Sequence, residues 1–151
     1  MATIVVQDDK ILRFLQVILD PDVASERVDA FRDYLAFDVP DPDAWFEEQR
    51  QAASAVYPSK IVMVGDEDAM RAALPDADAV VSESFRVCAS DLAAAPGLKL
   101  VQKFGIDVRN IDVEACRKAG VIVRTPVSYT HLRAHETTLH LVCRLLLEKK
   151  K

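Results

Sequence analysis

Short apolar runs alternate along the chain with stretches of helical periodicity. The runs at residues 61–64, 79–81 and 98–101 have the length and composition of buried strands. Between them, apolar residues recur at helical spacing, as at Met70, Ala73 and Leu74. Strands that alternate with helices over short loops predict an α/β fold, and we expect a flavodoxin-like (Rossmann-like), doubly wound parallel sheet.

The N-terminal part is less regular. Residues 4–6 predict either a short strand or a frayed lead-in. Residues 10–19 are rich in β-branched and aromatic side chains and stop at an Asp-Pro pair, which favours a strand. Two amphipathic helices follow, the first capped by Ser25, the second capped by Asp43 and ended by Pro58.

Residues 98–126 contain a complete strand, turn, helix and strand. Asn110 is a good N-cap and Gly120 a good C′ residue for a short helix at 110–120, and residues 121–123 then predict a buried strand. Two strands joined by such a crossover pair in parallel. The loop at 103–107 therefore lies at a carboxyl end of the sheet, where open α/β sheets bind ligands. Gly105 breaks the first strand, which indicates either positive φ or close approach of a ligand.

A second loop, residues 82–86, follows the strand at 79–81 and is expected on the same rim of the sheet as Gly105. Arg86 in this loop either attracts an anionic substrate or is an ordinary solvated arginine. Ser90 is the expected cap of the small helix that comes next, and Pro96-Gly97 ends it.

Composition narrows the choice of function. The 151 residues carry a formal net charge of −5, which argues against a nucleic-acid partner, since such proteins usually present a basic face. The first ten residues lack the features of a secretory signal, and no apolar stretch is long enough for a bilayer, so we expect a cytoplasmic protein. The three cysteines share no CxxC spacing, so we expect reduced thiols.

Several short motifs together resemble one family, although none is decisive alone. In chain order they are ADAVV at 77–81, LAAAPGL at 92–98, Phe104-Gly105, Asn110-Ile111-Asp112, Glu114-Ala115 and Thr125-Pro126. Their order and spacing resemble the substrate (catalytic) domain of the D-isomer-specific 2-hydroxyacid dehydrogenases. The resemblance covers roughly residues 61–126.

The resemblance implies an oxidoreductase that transfers hydride between NAD or NADP and C2 of a small D-2-hydroxy or 2-keto acid, and an intact protein that is a homodimer. It assigns Phe104, Gly105 and Ile106 to the loop whose backbone amides contact the substrate carboxylate. The family's catalytic arginine, glutamate and histidine, and its GxGxxG loop, belong after Pro126. The four glycines of this chain form no GxGxxG, so no catalytic or cofactor-binding residue is assigned and we expect this chain to be inactive.

Two positions depart from the family pattern. Where the family commonly has a second glycine this chain has Asp107, and where it has an acidic residue before the asparagine this chain has Arg109. On the loop sequence alone, a tight turn without a ligand is an equally good interpretation. The departures leave the substrate's identity open.

A different class of protein also fits part of the pattern. Asp8, Asp9, Asp66, Ser82 and Lys103 follow predicted strands and could imitate the acidic pocket of a phosphoacceptor receiver domain. The alternative is therefore a flavodoxin-like signalling module without redox activity. It leaves the LAAAPGL turn and the helix at 110–120 unexplained.

Residues 127–151 do not continue the pattern. They resemble a translated transposon-end sequencing adapter followed by a run of adenines, and we expect residues 1–126 to be the substrate-binding domain and 127–151 a non-native tail. The tail has helical spacing at 132–148. His131 and His135 have the i, i+4 spacing of metal ligands on a helix, but His140 does not continue that face. Because the segment resembles an adapter, we expect no metal site.

Overall fold

The computed structural model describes residues 1–126, and it confirms the expected α/β architecture. Its strands are β1 (Ala2–Gln7), β2 (Ser59–Val64), β3 (Ala79–Ser82), β4 (Leu100–Lys103) and β5 (Ile122–Arg124). The helices are α1 (Arg13–Leu19), α2 (Ser25–Leu35), α3 (Pro42–Ala52), α4 (Glu67–Ala73), α5 (Ala89–Ala93) and α6 (Val113–Lys118), with a 3₁₀ turn at Leu74–Asp76.

All five strands are parallel and lie in the order β2-β1-β3-β4-β5, which is the flavodoxin-like arrangement. Successive residues of β1 face opposite sides of the sheet. Ile4 and Val6 join the core formed with α1 and α3, whereas Val5 joins the core that includes Met70 of α4 and Cys116 of α6. The sheet is therefore covered on both faces. Within the described residues, no helix is long and apolar enough to cross a bilayer.

The predicted strand at residues 10–19 is wrong. The chain forms β1 earlier, confirming a strand at 4–6, and then turns where Asp9 Oδ1 accepts a hydrogen bond from the Ile11 amide at 2.8 Å. The next segment is α1, with four buried apolar residues in seven. A helix buried on most sides loses the 3.6-residue signature, and so its composition imitates a strand.

Each helix whose cap was predicted exists, but the cap residue differs in all four. Ser25 and Ser90 lie inside α2 and α5, whose N-caps are Ala24 and Cys88. Helix α3 is capped by Asp41 and α6 by Asp112, whose carboxylates accept from Ala44 N and Ala115 N, in place of Asp43 and Asn110.

Strands β4 and β5 are parallel, as predicted. Gly120 follows the C-terminus of α6 with a φ of 72°, a conformation that glycine adopts without strain. Strand β5, however, lies at the edge of the sheet. Val121, just before it, is buried, whereas Ile122 is 38% exposed. The expected strand is therefore present at 122–123, but the expected burial holds only for Val121, which precedes it. Val101 of β4 is fully buried, as expected.

Candidate functional site

The carboxyl ends of β1, β3 and β4 meet at one rim, and Gln7 organises it. The Gln7 Oε1 atom accepts hydrogen bonds from Ser82 Oγ at 3.0 Å, Glu83 N at 2.8 Å and Ser84 N at 2.9 Å. Its Nε2 donates to Ser84 Oγ at 2.8 Å. The Gln7 side-chain amide thus fixes the start of the loop after β3, because its oxygen accepts hydrogen bonds from three donors that have no partner in a helix or strand.

The two rim loops predicted to be neighbours are joined directly. The Phe104 amide donates to the Ser82 carbonyl at 2.8 Å, and Asn110 Nδ2 donates to the Phe85 carbonyl at 2.6 Å. A further parallel bridge joins Val87 to Ile111. The prediction that residues 82–86 and Gly105 share a rim is confirmed, and Asn110 joins the two loops instead of capping α6.

The loop after β4 exposes backbone donors. In residues 1–126, the N–H groups of Gly105, Ile106 and Asp107 donate to no acceptor, whereas that of Phe104 is already bonded to Ser82. Gly105 does not have positive φ. A Cβ at this position would lie only 3.0 Å from Glu83 Oε2, so close approach is what the glycine permits. Successive unpaired N–H groups are the elements of an anion-binding nest.

A buried lysine and a glutamate flank this loop. Lys103 is only 5% exposed, and its Nζ lies 3.8 Å from Glu83 Oε2, a distance too long for a hydrogen bond. The Glu83 Oε2 atom is buried without a hydrogen-bond partner among the described residues. The carboxylate is therefore held against Gly105 with little compensation, as burial of an oxygen without a donor costs free energy.

Asp107 and Arg109, the two departures from the family pattern, pair with each other. Arg109 Nε donates to Asp107 Oδ2 at 2.8 Å and its Nη2 lies 2.5 Å from the same oxygen, while the Arg109 amide donates to Oδ1 at 3.0 Å. These hydrogen bonds lower the pKa of Asp107 from 3.8 to about 2. The pair adds no net charge to the loop.

Arg86 and Arg109 line two adjacent clefts beside the loop, of about 430 and 460 Å³. The second cleft is also lined by Glu83, Lys103 and Asp107. The Arg86 amide donates to Glu67 Oε1 at 2.9 Å, but within residues 1–126 its guanidinium pairs with no carboxylate. The guanidinium forms no ion pair among these residues, although, after the hydrogen bond from the Arg86 amide, its charge also helps to lower the pKa of the Glu67 carboxyl group.

The five residues of the receiver-like alternative have other partners. Asp8 pairs with Arg13, whose hydrogen bond lowers the pKa of that carboxyl group. Asp66 caps α4 through Ala69 N. Ser82 donates to Gln7, and Lys103 faces Glu83, as described above. Among the described residues, no group of three or more His, Cys, Asp or Glu side chains could hold a metal ion. Nothing in this part of the chain supports a receiver-type acidic pocket.

Sequence reasoning missed Gln7 and Glu83. Both are polar residues that come at the end of a predicted strand or just after it, which was the available signal. Gln7 is 75 to 77 residues away in the chain from the three residues that donate to it, so only the parallel pairing of β1 with β3 brings them together.

A comparison with known protein families shows which family the chain belongs to. Residues 23–137 match the family model described as D-isomer specific 2-hydroxyacid dehydrogenase, catalytic domain. The chain belongs to this family. The matched residues include the rim loop that contains Gly105, and the match extends eleven residues beyond Pro126.

The chain is similar to D-3-phosphoglycerate dehydrogenases. It is 37% identical over 95 residues to that of Mycobacterium bovis, covering 54% of this chain and 18% of the relative. It is 42% identical over 71 residues to that of Mycobacterium leprae, covering 46% and 13%. An NAD⁺-bound 3-phosphoglycerate dehydrogenase of Entamoeba histolytica superimposes with a TM-score of 0.48 at 19% identity, covering 83% of this chain and 33% of that one. The chain thus spans less than a fifth of these curated relatives.

The predictions made for residues 127–151 lie outside the described residues. They are the non-native tail, its helix at 132–148 and the expectation that His131, His135 and His140 bind no metal. Of the three cysteines, Cys88 and Cys116 are free, the first exposed and the second buried.

Proposed function

We propose that residues 1–126 form the substrate domain of an NAD(P)-dependent D-2-hydroxyacid dehydrogenase, and that the Gly105 loop binds the substrate carboxylate. The observation that carries this is the unpaired N–H groups of Gly105 and Ile106 beside a glycine that allows close approach. Phe104 supports the loop through its bonded amide and its half-buried ring, which packs against the core.

Two successive amides without an acceptor can donate to the two oxygens of one carboxylate. Charge-assisted hydrogen bonds of this kind fix the acid end of a small substrate, and thereby the position of its C2 atom. The domain's contribution to the reaction is therefore orientation. The family's hydride transfer uses a nicotinamide cofactor, which supplies the redox chemistry when bound.

The described residues do not fit a dinucleotide. The loop after β1, where such sheets bind a nucleotide, has no glycine; it carries Asp8, which is paired with Arg13, and Asp9, whose carboxylate adds negative charge there. We derive no step through the cofactor for residues 1–126. For the intact enzyme we propose NAD or NADP as cofactor, a homodimer, and a small 2-hydroxy or 2-keto acid as substrate. The cytoplasmic location stays a prediction.

The proposal is tested by titrating the full chain with D-glycerate and following backbone amide resonances by NMR. The Gly105 and Ile106 resonances are expected to shift first and furthest. Gly105→Ala should weaken binding, because a Cβ at this position occupies the space through which a ligand carboxylate approaches the loop amides. Gly65→Ala is the matched control, since a Cβ there meets nothing within 4 Å. Shifts confined to other parts of the rim would contradict the proposal.

We also propose that residues 127–151 are not part of the natural protein, from their resemblance to a translated adapter. The family match continues to residue 137 and so runs into this segment. An independent genomic read across the codon for Pro126 tests the proposal. The same residues in that read would overturn it.

A further inference from the structure

A carboxylate of the protein itself lies against the loop proposed to bind the substrate carboxylate. If Gly105 had a Cβ, that atom would lie 3.0 Å from Glu83 Oε2 and 3.1 Å from Oε1. Both oxygens are therefore at van der Waals distance from the face of the loop glycine. Oε2 is buried and accepts no hydrogen bond from the described residues.

Glu83 cannot move away with its backbone. Its amide donates to Gln7 Oε1 at 2.8 Å, and the next amide, that of Ser84, donates to the same oxygen at 2.9 Å. These bonds tie the loop after β3 to the end of β1. The carboxylate can leave Gly105 only by rotating its own side chain, which is 46% exposed and has room to do so.

The charges around Glu83 offset its negative charge only in part. Lys103 Nζ is 3.8 Å away and forms no hydrogen bond, so the two groups partly neutralise each other. Asp107 is paired with Arg109. Within residues 1–126 Arg86 is the rim cation without a carboxylate partner, and it lines the same cleft as Glu83.

Resting on the proposed function, we propose that Glu83 is a specificity-determining residue that disfavours substrates with a second negative charge. An incoming carboxylate must approach the Gly105 amides beside the Glu83 carboxylate. A second anionic group on the same small molecule lies within the same few ångströms and meets the same charge. Because Coulomb energy is proportional to the charge of the ligand, removal of Glu83's charge favours a dianion more than a monoanion.

The experiment compares two ligands that differ by one phosphoryl group, D-glycerate and D-3-phosphoglycerate, by NMR titration of the full chain. Glu83→Gln is expected to tighten D-glycerate about threefold and D-3-phosphoglycerate by at least about tenfold, since the phosphoryl group adds roughly −1.5 to −2 of charge to the single charge of the carboxylate. Glu114→Gln makes the same change in net charge on α6, where Glu114 pairs with Arg117 at an exposed site. It should leave both affinities within the error of the titration.

Glu83→Asp retains the charge and is expected to keep the ligand preference of the original chain, which separates charge from side-chain shape. Equal gains for the two ligands in Glu83→Gln, or no gain, would overturn the role of Glu83 and leave the carboxylate-binding loop intact. Failure of both ligands to shift the Gly105 and Ile106 amides in every variant would overturn the proposed function together with this inference.

Discussion

Asp107 and Arg109 show how two unusual residues can explain each other. In the sequence each is a separate departure from the pattern of the D-2-hydroxyacid dehydrogenases. In the structure they form one ion pair in which the Arg109 amide also donates to the same carboxylate. The substitutions therefore keep the loop electrically neutral and close a short turn, because an Asp side chain can accept from the amide two residues on.

The first prediction concerns the ionisation of Asp107. Its pKa is lowered from 3.8 to about 2 by hydrogen bonds from Arg109. A depressed carboxyl pKa means that the pair's stabilisation is present above pH 3.8 and is lost as the pH falls through about 2. Following the Asp107 carboxyl carbon by NMR should give a midpoint near that lower value, and Arg109→Gln should return it towards 3.8.

Arg117→Gln is the control for this titration, since it removes an exposed arginine that pairs with Glu114 on another element. The Asp107 midpoint should not respond to it. A midpoint equally shifted by both arginine substitutions would show that net charge, and not the pairing, controls this carboxyl group.

At the scale of the elements, position in the sheet decides what an apolar residue contributes. Leu100 of β4 and Ile122 of β5 are partners in the parallel register, yet Leu100 is 2% exposed and Ile122 is 38% exposed. Strand β4 has a neighbour on each side, whereas β5 is an edge strand. Their sequences alone, both short and apolar, give no sign of this difference.

The second prediction uses this pair. Leu100→Ala should lower the free energy of unfolding by about 2–5 kcal/mol, because it leaves a cavity in a packed core. Ile122→Ala should cost about 1–2 kcal/mol, since part of that side chain is already in water. Urea denaturation of both variants measures the difference. Equal midpoints would show that the edge strand is covered more completely than its exposure indicates.

At the scale of the whole molecule, the sheet has the topology of a nucleotide-binding fold without the chemistry for a nucleotide. The order β2-β1-β3-β4-β5 creates a crevice at the carboxyl ends of β1 and β3, because the helices that follow these two strands pack on opposite faces of the sheet. The loop after β1 carries Asp8 and Asp9, and Gln7 accepts a hydrogen bond from the Glu83 amide in the loop after β3. The same topology thus presents the unpaired amides of the Gly105 loop, which we propose bind a carboxylate, in place of a phosphate-binding loop.

The third prediction follows from that chemistry: this chain does not bind NADH at micromolar concentration and does not oxidise D-glycerate. The loop after β1 has no glycine to admit a pyrophosphate and carries the carboxylate of Asp9, and the sequence contains no GxGxxG. Isothermal titration with NADH measures the first part, with an intact D-3-phosphoglycerate dehydrogenase as the positive control. A saturable heat signal from this chain at micromolar NADH would contradict it.

The sequence by itself determined the alternation of strands and helices, the parallel sheet and the rim on which Gly105 lies, because hydrophobic periodicity and turn residues are local properties. It also carried the family resemblance that the comparison confirmed. It placed Gly120 correctly, since a helix C-terminus that needs positive φ selects glycine locally.

Only the tertiary structure decided which polar and apolar residues meet. In the sheet, the position beside β2 is filled by β1, and residues 13–19 form a helix that packs on the sheet. Because this helix is largely buried, its sequence lacks the helical period. Asn110 donates to the Phe85 carbonyl instead of capping α6, and the Glu83 carboxylate lies beside Gly105. Both are contacts between loops that are distant in the sequence. Such contacts depend on strand order and register, which no short stretch of sequence encodes.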